Sequence, residues 1–191
     1  MNLRCFIAIE IPEPIKKEIG DIIDILKKYD VDIKWVIPDN LHLTLKFLGN
    51  TPDILITKIS ESLSIIISSY KPFYIKIYST GVFPNRKYPR VIWVGIEESD
   101  ILKKLKSDIE QSMVLFGFQK EDKEFTAHLT LGRVRSQKGV LRVVNELDIF
   151  KDKDFGTIPV DSVKLMKSEL KPGGAEHICL HTILFGGNKL S

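Results

Sequence analysis

From Glu13 to Tyr29 the apolar residues Ile15, Ile19, Ile22, Ile23 and Leu26 recur at steps of three and four, with Lys16, Lys17, Asp21, Asp24 and Lys28 between them. That spacing predicts an amphipathic helix with one buried stripe. A second helix is predicted to open at Thr51-Pro52-Asp53, with Thr51 as cap and Pro52 at the first helical position, and to continue through Leu55, Ile59, Leu63, Ile66 and Tyr70. A third runs from a Ser99 cap through Leu102, Leu105, Ile109 and Met113 to a stop at Gly117, and a shorter fourth covers 140–147. The intervening runs alternate with period two, as half-buried strands do: 3–9, 41–48, 73–80, 91–96, 127–134, 158–166 and 178–185. The strands at 73–80 and 91–96 follow one another with no helix between, which favours antiparallel pairing. The pattern therefore predicts an α+β fold rather than a doubly wound parallel sheet.

At 191 residues and 43% hydrophobic content the chain can bury one sizeable core, or two small lobes sharing an interface, and no compositional shift marks a linker. The longest apolar runs stop well short of the ~20 residues needed to span a bilayer. The N-terminal apolar stretch, broken by Glu10 and Pro12, is too short for a signal-peptide core, so the expected location is the cytoplasm. Cys5 and Cys179 lie far apart in strand-like contexts and read as reduced core residues rather than a disulfide framework. A net charge of +3 permits a polyanionic ligand without requiring one.

One segment returns. Asn40-Leu41-His42-Leu43-Thr44-Leu45 reappears as Ala127-His128-Leu129-Thr130-Leu131, the histidines 128 − 42 = 86 residues apart. Residues two apart on a strand share a face, so each copy sets an imidazole beside a hydroxyl while the leucines pack on the other side. A lone His-x-Thr on a strand is unremarkable, and the pair has a plain reading as edge strands from an old duplication. If both copies face one cleft, however, one imidazole can accept a proton while the other donates, and the two threonine hydroxyls can hydrogen-bond the oxygens of a phosphate held between them. That arrangement suits hydrolysis of a phosphodiester with no metal and no cofactor.

At these residues the chain resembles the two-histidine phosphoesterase superfamily, and within it the RNA 2′,3′-cyclic phosphodiesterases, also called the 2′-5′ RNA ligase family. The resemblance extends to Leu3-Arg4-Cys5-Phe6-Ile7-Ala8-Ile9, Trp35-Val36, Lys46-Phe47-Leu48-Gly49, Gly132-Arg133, Ser168-Glu169-Leu170 and Pro172-Gly173-Gly174-Ala175. It implies a single bilobal, pseudo-twofold domain over 1–191, with two antiparallel sheets and outer helices flanking a central cleft. It also implies hydrolysis of an RNA-terminal 2′,3′-cyclic phosphate to a 2′-phosphate, with His42 as proton donor and His128 as proton acceptor. The implied partners are RNA ends or nucleoside 2′,3′-cyclic phosphates bound by a monomer. By sequence alone the two histidines are equivalent. The alternatives are a 2′-5′ RNA ligase, a phosphodiesterase acting on a small cyclic nucleotide metabolite, and a non-catalytic RNA-end-binding module. His177 departs from the pattern, since relatives commonly carry Tyr there.

Further substrate-binding candidates flank the motifs. Lys46 keeps the strand parity of Thr44 and is expected to face the cleft, with Thr44 and Thr130. Arg133 has the opposite parity to Thr130 unless a bulge intervenes, and is then either a phosphate contact or a solvated surface residue. The segment 83–90 interleaves basic and aromatic residues, suiting either RNA contact or a simple basic turn. His177, Cys179 and His181 lie at two-residue steps, as zinc ligands on one strand face would, but no fourth ligand is apparent and a core cysteine between half-buried histidines is the simpler reading.

Overall fold

The computed structural model describes residues 1–122, 124–171 and 174–186. Its elements in chain order are β1 (Asn2–Glu10), α1 (Glu13–Lys27), β2 (Ile33–Trp35), β3 (His42–Pro52), α2 (Ile56–Ser68), β4 (Phe73–Phe83), β5 (Val91–Ile96), α3 (Asp100–Val114), β6 (His128–Val134), α4 (Val140–Leu147), β7 (Asp154–Val160), β8 (Ser162–Lys171) and β9 (Gly174–Leu184). The strands form two sheets, one of four in the order β3-β1-β8-β9 and one of five in the order β2-β6-β5-β4-β7. Every strand pairing among the described residues is antiparallel. This is the α+β architecture expected from the hydrophobic pattern.

The helices lie on the outer faces. α2 and α3 pack on the four-stranded sheet, through β9 and β3, while α1 and α4 pack on the five-stranded sheet through β7 and β4. Each buries the stripe that its periodicity predicts: Ile19, Ile22, Ile23 and Leu26 on α1, Ile59, Leu63 and Ile67 on α2, Leu102, Leu105, Ile109 and Met113 on α3, Val140, Val143, Val144 and Leu147 on α4. Against them stand the inward residues of the strands, among them Ile7, Ile9, Leu43 and Leu45 in one sheet and Ile77, Val94, Leu129 and Leu131 in the other. α3 opens at Ser99, whose hydroxyl accepts from the Leu102 amide at 3.3 Å. Beyond its end Gly117 takes φ +86°, a left-handed value that glycine adopts without strain.

Three elements depart from expectation. Thr51 caps no helix: β3 continues to Pro52, and α2 begins only after a short 3₁₀ turn at Asp53–Leu55. The run 158–166 is two strands, because the chain leaves the five-stranded sheet at Val160 and enters the four-stranded one at Ser162, with Asp161 as the crossing. β2 is only three residues long, too short to show a period. Cys179 is exposed rather than core, whereas Cys5 is buried, and both are free thiols. Pro172 and Gly173, part of the segment that carries the family resemblance, lie outside the described residues. No helix among the described residues is long and apolar enough to cross a membrane.

Candidate active site

The repeated motifs occupy β3 at the edge of one sheet and β6 in the other, and these two strands pack against each other where the sheets meet. On each, the leucines are sealed in the core, Leu43 and Leu45 at 1% exposure and Leu129 and Leu131 at 0%. His42, Thr44, His128 and Thr130 stay half-buried on the opposite face. Two-residue alternation thus turns both His-Thr pairs away from the helices.

Each imidazole is anchored in the same way. Nδ1 of His42 lies 2.7 Å from the carbonyl oxygen of Asn40, and Nδ1 of His128 lies 2.7 Å from that of Thr126. A carbonyl only accepts, so in both rings Nδ1 carries the hydrogen and Nε2 is left to exchange a proton with a ligand. Burial, the dominant cause, pushes His42 down to about 4, offset partly by the Asn40 carbonyl and reinforced by His177 and Lys16. Burial also lowers His128, against its Thr126 carbonyl and with the help of the Arg133 charge. Both rings are therefore neutral near pH 7 in the free protein.

A bulge follows each motif and decides the fate of the next residues. In β3 the register jumps from Thr44 opposite Ala8 to Lys46 opposite Ile7, and in β6 it jumps from Thr130 opposite Trp93 to Gly132 opposite Ile92. Each bulge reverses strand parity beyond it. Lys46 is consequently a correction to the sequence reading: it points away from the cleft, is 2% exposed, and ion-pairs with Glu110 of α3 while donating to the Gln119 carbonyl at 2.6 Å. It is not available to a substrate. Phe47, one residue on, is exposed in its place, 6.1 Å from the Phe6 ring. The same reversal brings Arg133 to the His128 side, where it is exposed and lowers the affinity of that imidazole for a proton.

The walls around the two histidines differ. Phe6 lies 4.7 Å from the His42 ring and 4.9 Å from His177, and His42 and His177 meet edge to face at 5.1 Å. His42 and His177 share a cavity of about 180 Å³ with Glu10, Lys16, Asp39 and Lys164. His128 instead meets Phe83, whose ring is 5.0 Å away and continues to Trp93 at 5.1 Å. The segment 83–90 is thus beside the second motif, although Arg86 is turned outward onto Asp148. The three candidate zinc ligands are separated by another bulge, since Cys179 opposes Met166 while His181 opposes Leu165, which puts His181 on the other face. Among the described residues no group of three or more metal-ligating side chains converges.

Asn40 and Phe6 carry roles that residue types alone did not reveal. The Asn40 side chain donates to the Ala175 carbonyl at 2.6 Å, so this residue orients His42 through its own carbonyl and pins β9 beside it. The recognisable signal was only its place two residues before the histidine.

A profile of the LigT like Phosphoesterase family matches residues 9–93 and again 94–175, one copy for each motif. The chain belongs to the LigT-like phosphoesterase family. Proteins named RNA 2′,3′-cyclic phosphodiesterase are similar to it over most of their length: one from Methanocaldococcus jannaschii is 38% identical, covering 90% of this chain and 95% of that protein. One from Thermotoga maritima is 34% identical, covering 97% of each. Among solved LigT-like structures, a Thermus thermophilus protein superimposes with TM-score 0.81 at 25% identity, covering 97% of this chain and 99% of its own. Escherichia coli LigT complexed with 3′-AMP reaches 0.72 at 21% identity, covering 98% of this chain and 100% of its own, a likeness of fold. The double match fits a pseudo-twofold LigT-like fold with one motif per half.

Proposed function

We propose that this chain hydrolyses RNA-terminal 2′,3′-cyclic phosphates to 2′-phosphates, with His42 and His128 as its acid and base. The identity to named cyclic phosphodiesterases supports the reaction. The observation that carries the mechanism is the matched anchoring of the two rings, each with Nδ1 on a carbonyl two residues upstream. In this reading Nε2 of His128 takes a proton from water as its oxygen attacks phosphorus. The bond from phosphorus to the ribose 3′-oxygen breaks, and His42 gives that oxygen a proton. Thr44 and Thr130 hydrogen-bond the phosphoryl oxygens as charge grows in the pentacoordinate state, and Arg133 contacts the anion from the His128 side.

Both rings start neutral, so His42 must gain a proton before it can act. The anionic phosphate favours imidazolium once it lies between the rings. The reading places the protein in the cytoplasm as a single two-lobed domain, working on RNA ends or nucleoside 2′,3′-cyclic phosphates as a monomer. The test is an oligoribonucleotide ending in 2′,3′-cyclic phosphate, with products separated by phosphate position. Accumulation of the 2′-phosphate by wild type and its loss in His42→Ala and His128→Ala supports the proposal. Tight binding with no turnover would favour an RNA-end-binding module, and a 2′-5′ joint formed with a 5′-hydroxyl strand would favour a ligase.

A further inference from the structure

The LigT-like fold explains two imidazoles, and this chain sets a third beside one of them. His177 projects from β9 against His42, 5.1 Å between ring centroids, and both rings rest on Phe6. The placement is built rather than incidental: the Asn40 amide holds β9 at Ala175, two residues upstream of His177, while the Asn40 carbonyl holds His42. No hydrogen bond or ion pair engages the His177 ring among the described residues. We propose that His177 is a positioning residue for His42: the two imidazoles compete for one proton, so His177 sets the pH at which His42 can donate to the leaving oxygen.

The physical ground is like-charge repulsion in a half-enclosed site. Two imidazolium rings at this separation oppose one another strongly enough to split their titrations by on the order of one pH unit. The other charges facing His42 are largely balanced. Lys164 of β8 pairs with Glu10 of β1, and Lys16 of α1 pairs with Glu13 at 3.0 Å. Asp39, ahead of β3, and Cys179 of β9 also line the cavity, and β6 brings His128 to the same junction of the sheets. Burial disfavours a proton on His177 as it does on His42, so acidification presents both rings with the same choice. Among the described residues no second imidazole packs on the His128 ring, which meets Phe83 and the fixed charge of Arg133.

This inference rests on His42 acting as the acid, and its test has a readout independent of turnover. The chain has four histidines, few enough to follow singly by NMR. In His177→Phe and His177→Tyr the titration midpoint of His42 should move upward by roughly one pH unit relative to wild type, the repulsion having been removed. The alkaline limb of the kcat/KM profile should move upward with it, because a donor fails as pH rises through its pKa. An unmoved His42 midpoint in either folded variant would overturn the proposal. A folded His42→Ala with full activity would instead overturn the acid role of His42. In that case the NMR shift still decides whether the two rings are coupled.

Discussion

The β3 and β6 motifs carry the same four residues, the same ring anchor and the same bulge, and then diverge. After the bulge the inward residue is Lys46 in one and Gly132 in the other. Lys46 reaches the buried carboxylate of Glu110, which also pairs with Lys106, and Lys106 in turn meets Glu121 at 3.0 Å. Gly132 has no space for a side chain, since a Cβ there would lie 2.8 Å from Ile33 and 2.9 Å from Trp35 of β2. The outward residue is Phe47 in one motif and Arg133 in the other. The repeated strand motif thus keeps the imidazoles and hydroxyls constant while the residues just beyond them specialise. One side becomes aromatic with a titratable neighbour, and the other carries a permanent cation.

The largest effect should come from the shared part. His42→Ala and His128→Ala should each lower the hydrolysis rate by roughly 10²- to 10⁴-fold, and the double variant should fall far short of the product of the two. Multiplicative losses measured by single-turnover kinetics would mean that the rings do not act as a unit. Thr44→Ala and Thr130→Ala should follow, raising the barrier by about 2 to 4 kcal/mol each, read from kcat/KM.

Next come the residues at which the motifs differ. Lys46→Met should leave Glu110 short of one partner in a nearly dry site and destabilise the fold by about 3 kcal/mol in denaturant melts. Lys46 is a structural residue on this account, so a Lys46→Met protein that is fully stable and has lost substrate affinity would reinstate it as a contact. Arg133→Ala should weaken substrate binding with little effect on stability.

The smallest effects concern protons and metal. The three half-buried rings of His42, His128 and His177 all bind a proton less readily in the native chain than when unfolded. Between the ordinary histidine value near 6.5 and about 4, to which burial pushes His42, the unfolded state holds more protons, so stability should fall as pH drops through that window. His42→Gln should flatten that slope in thermal melts. Chelator should leave the hydrolysis rate unchanged. Loss with EDTA and recovery with zinc or magnesium would show that a metal takes part.

Much of this organisation was legible because it is periodic. α1 and α3 announce themselves by three- and four-residue spacing, and the strand faces of His42, Thr44, His128 and Thr130 follow from alternation between leucines. What failed was anything that interrupts a period. The bulges after Thr44 and Thr130 leave no mark in the residue types, so parity alone points Lys46 to the wrong face and leaves the side of Arg133 open. The bulge in β9 similarly separated His181 from His177 and Cys179. At Asp161 an unbroken alternation ran across two sheets, because the pattern records which residues are buried and not which core they enter. The partnership of His177 with His42 spans β3 and β9, and no local pattern encodes it.

The strand order has a consequence for how the molecule comes into being. The five-stranded sheet uses only β2 and β4–β7, so every strand around His128 has emerged once Val160 is made. The wall beside His42 needs β1 to pair with β8, joining Cys5 to Lys167, and needs β9 to deliver His177. Contacts between such distant parts of a chain form late, after the loop between them has been closed. A nascent chain would therefore carry both motifs with only one side of the cleft assembled, and competence to open a terminal cyclic phosphate would arrive with β8 and β9.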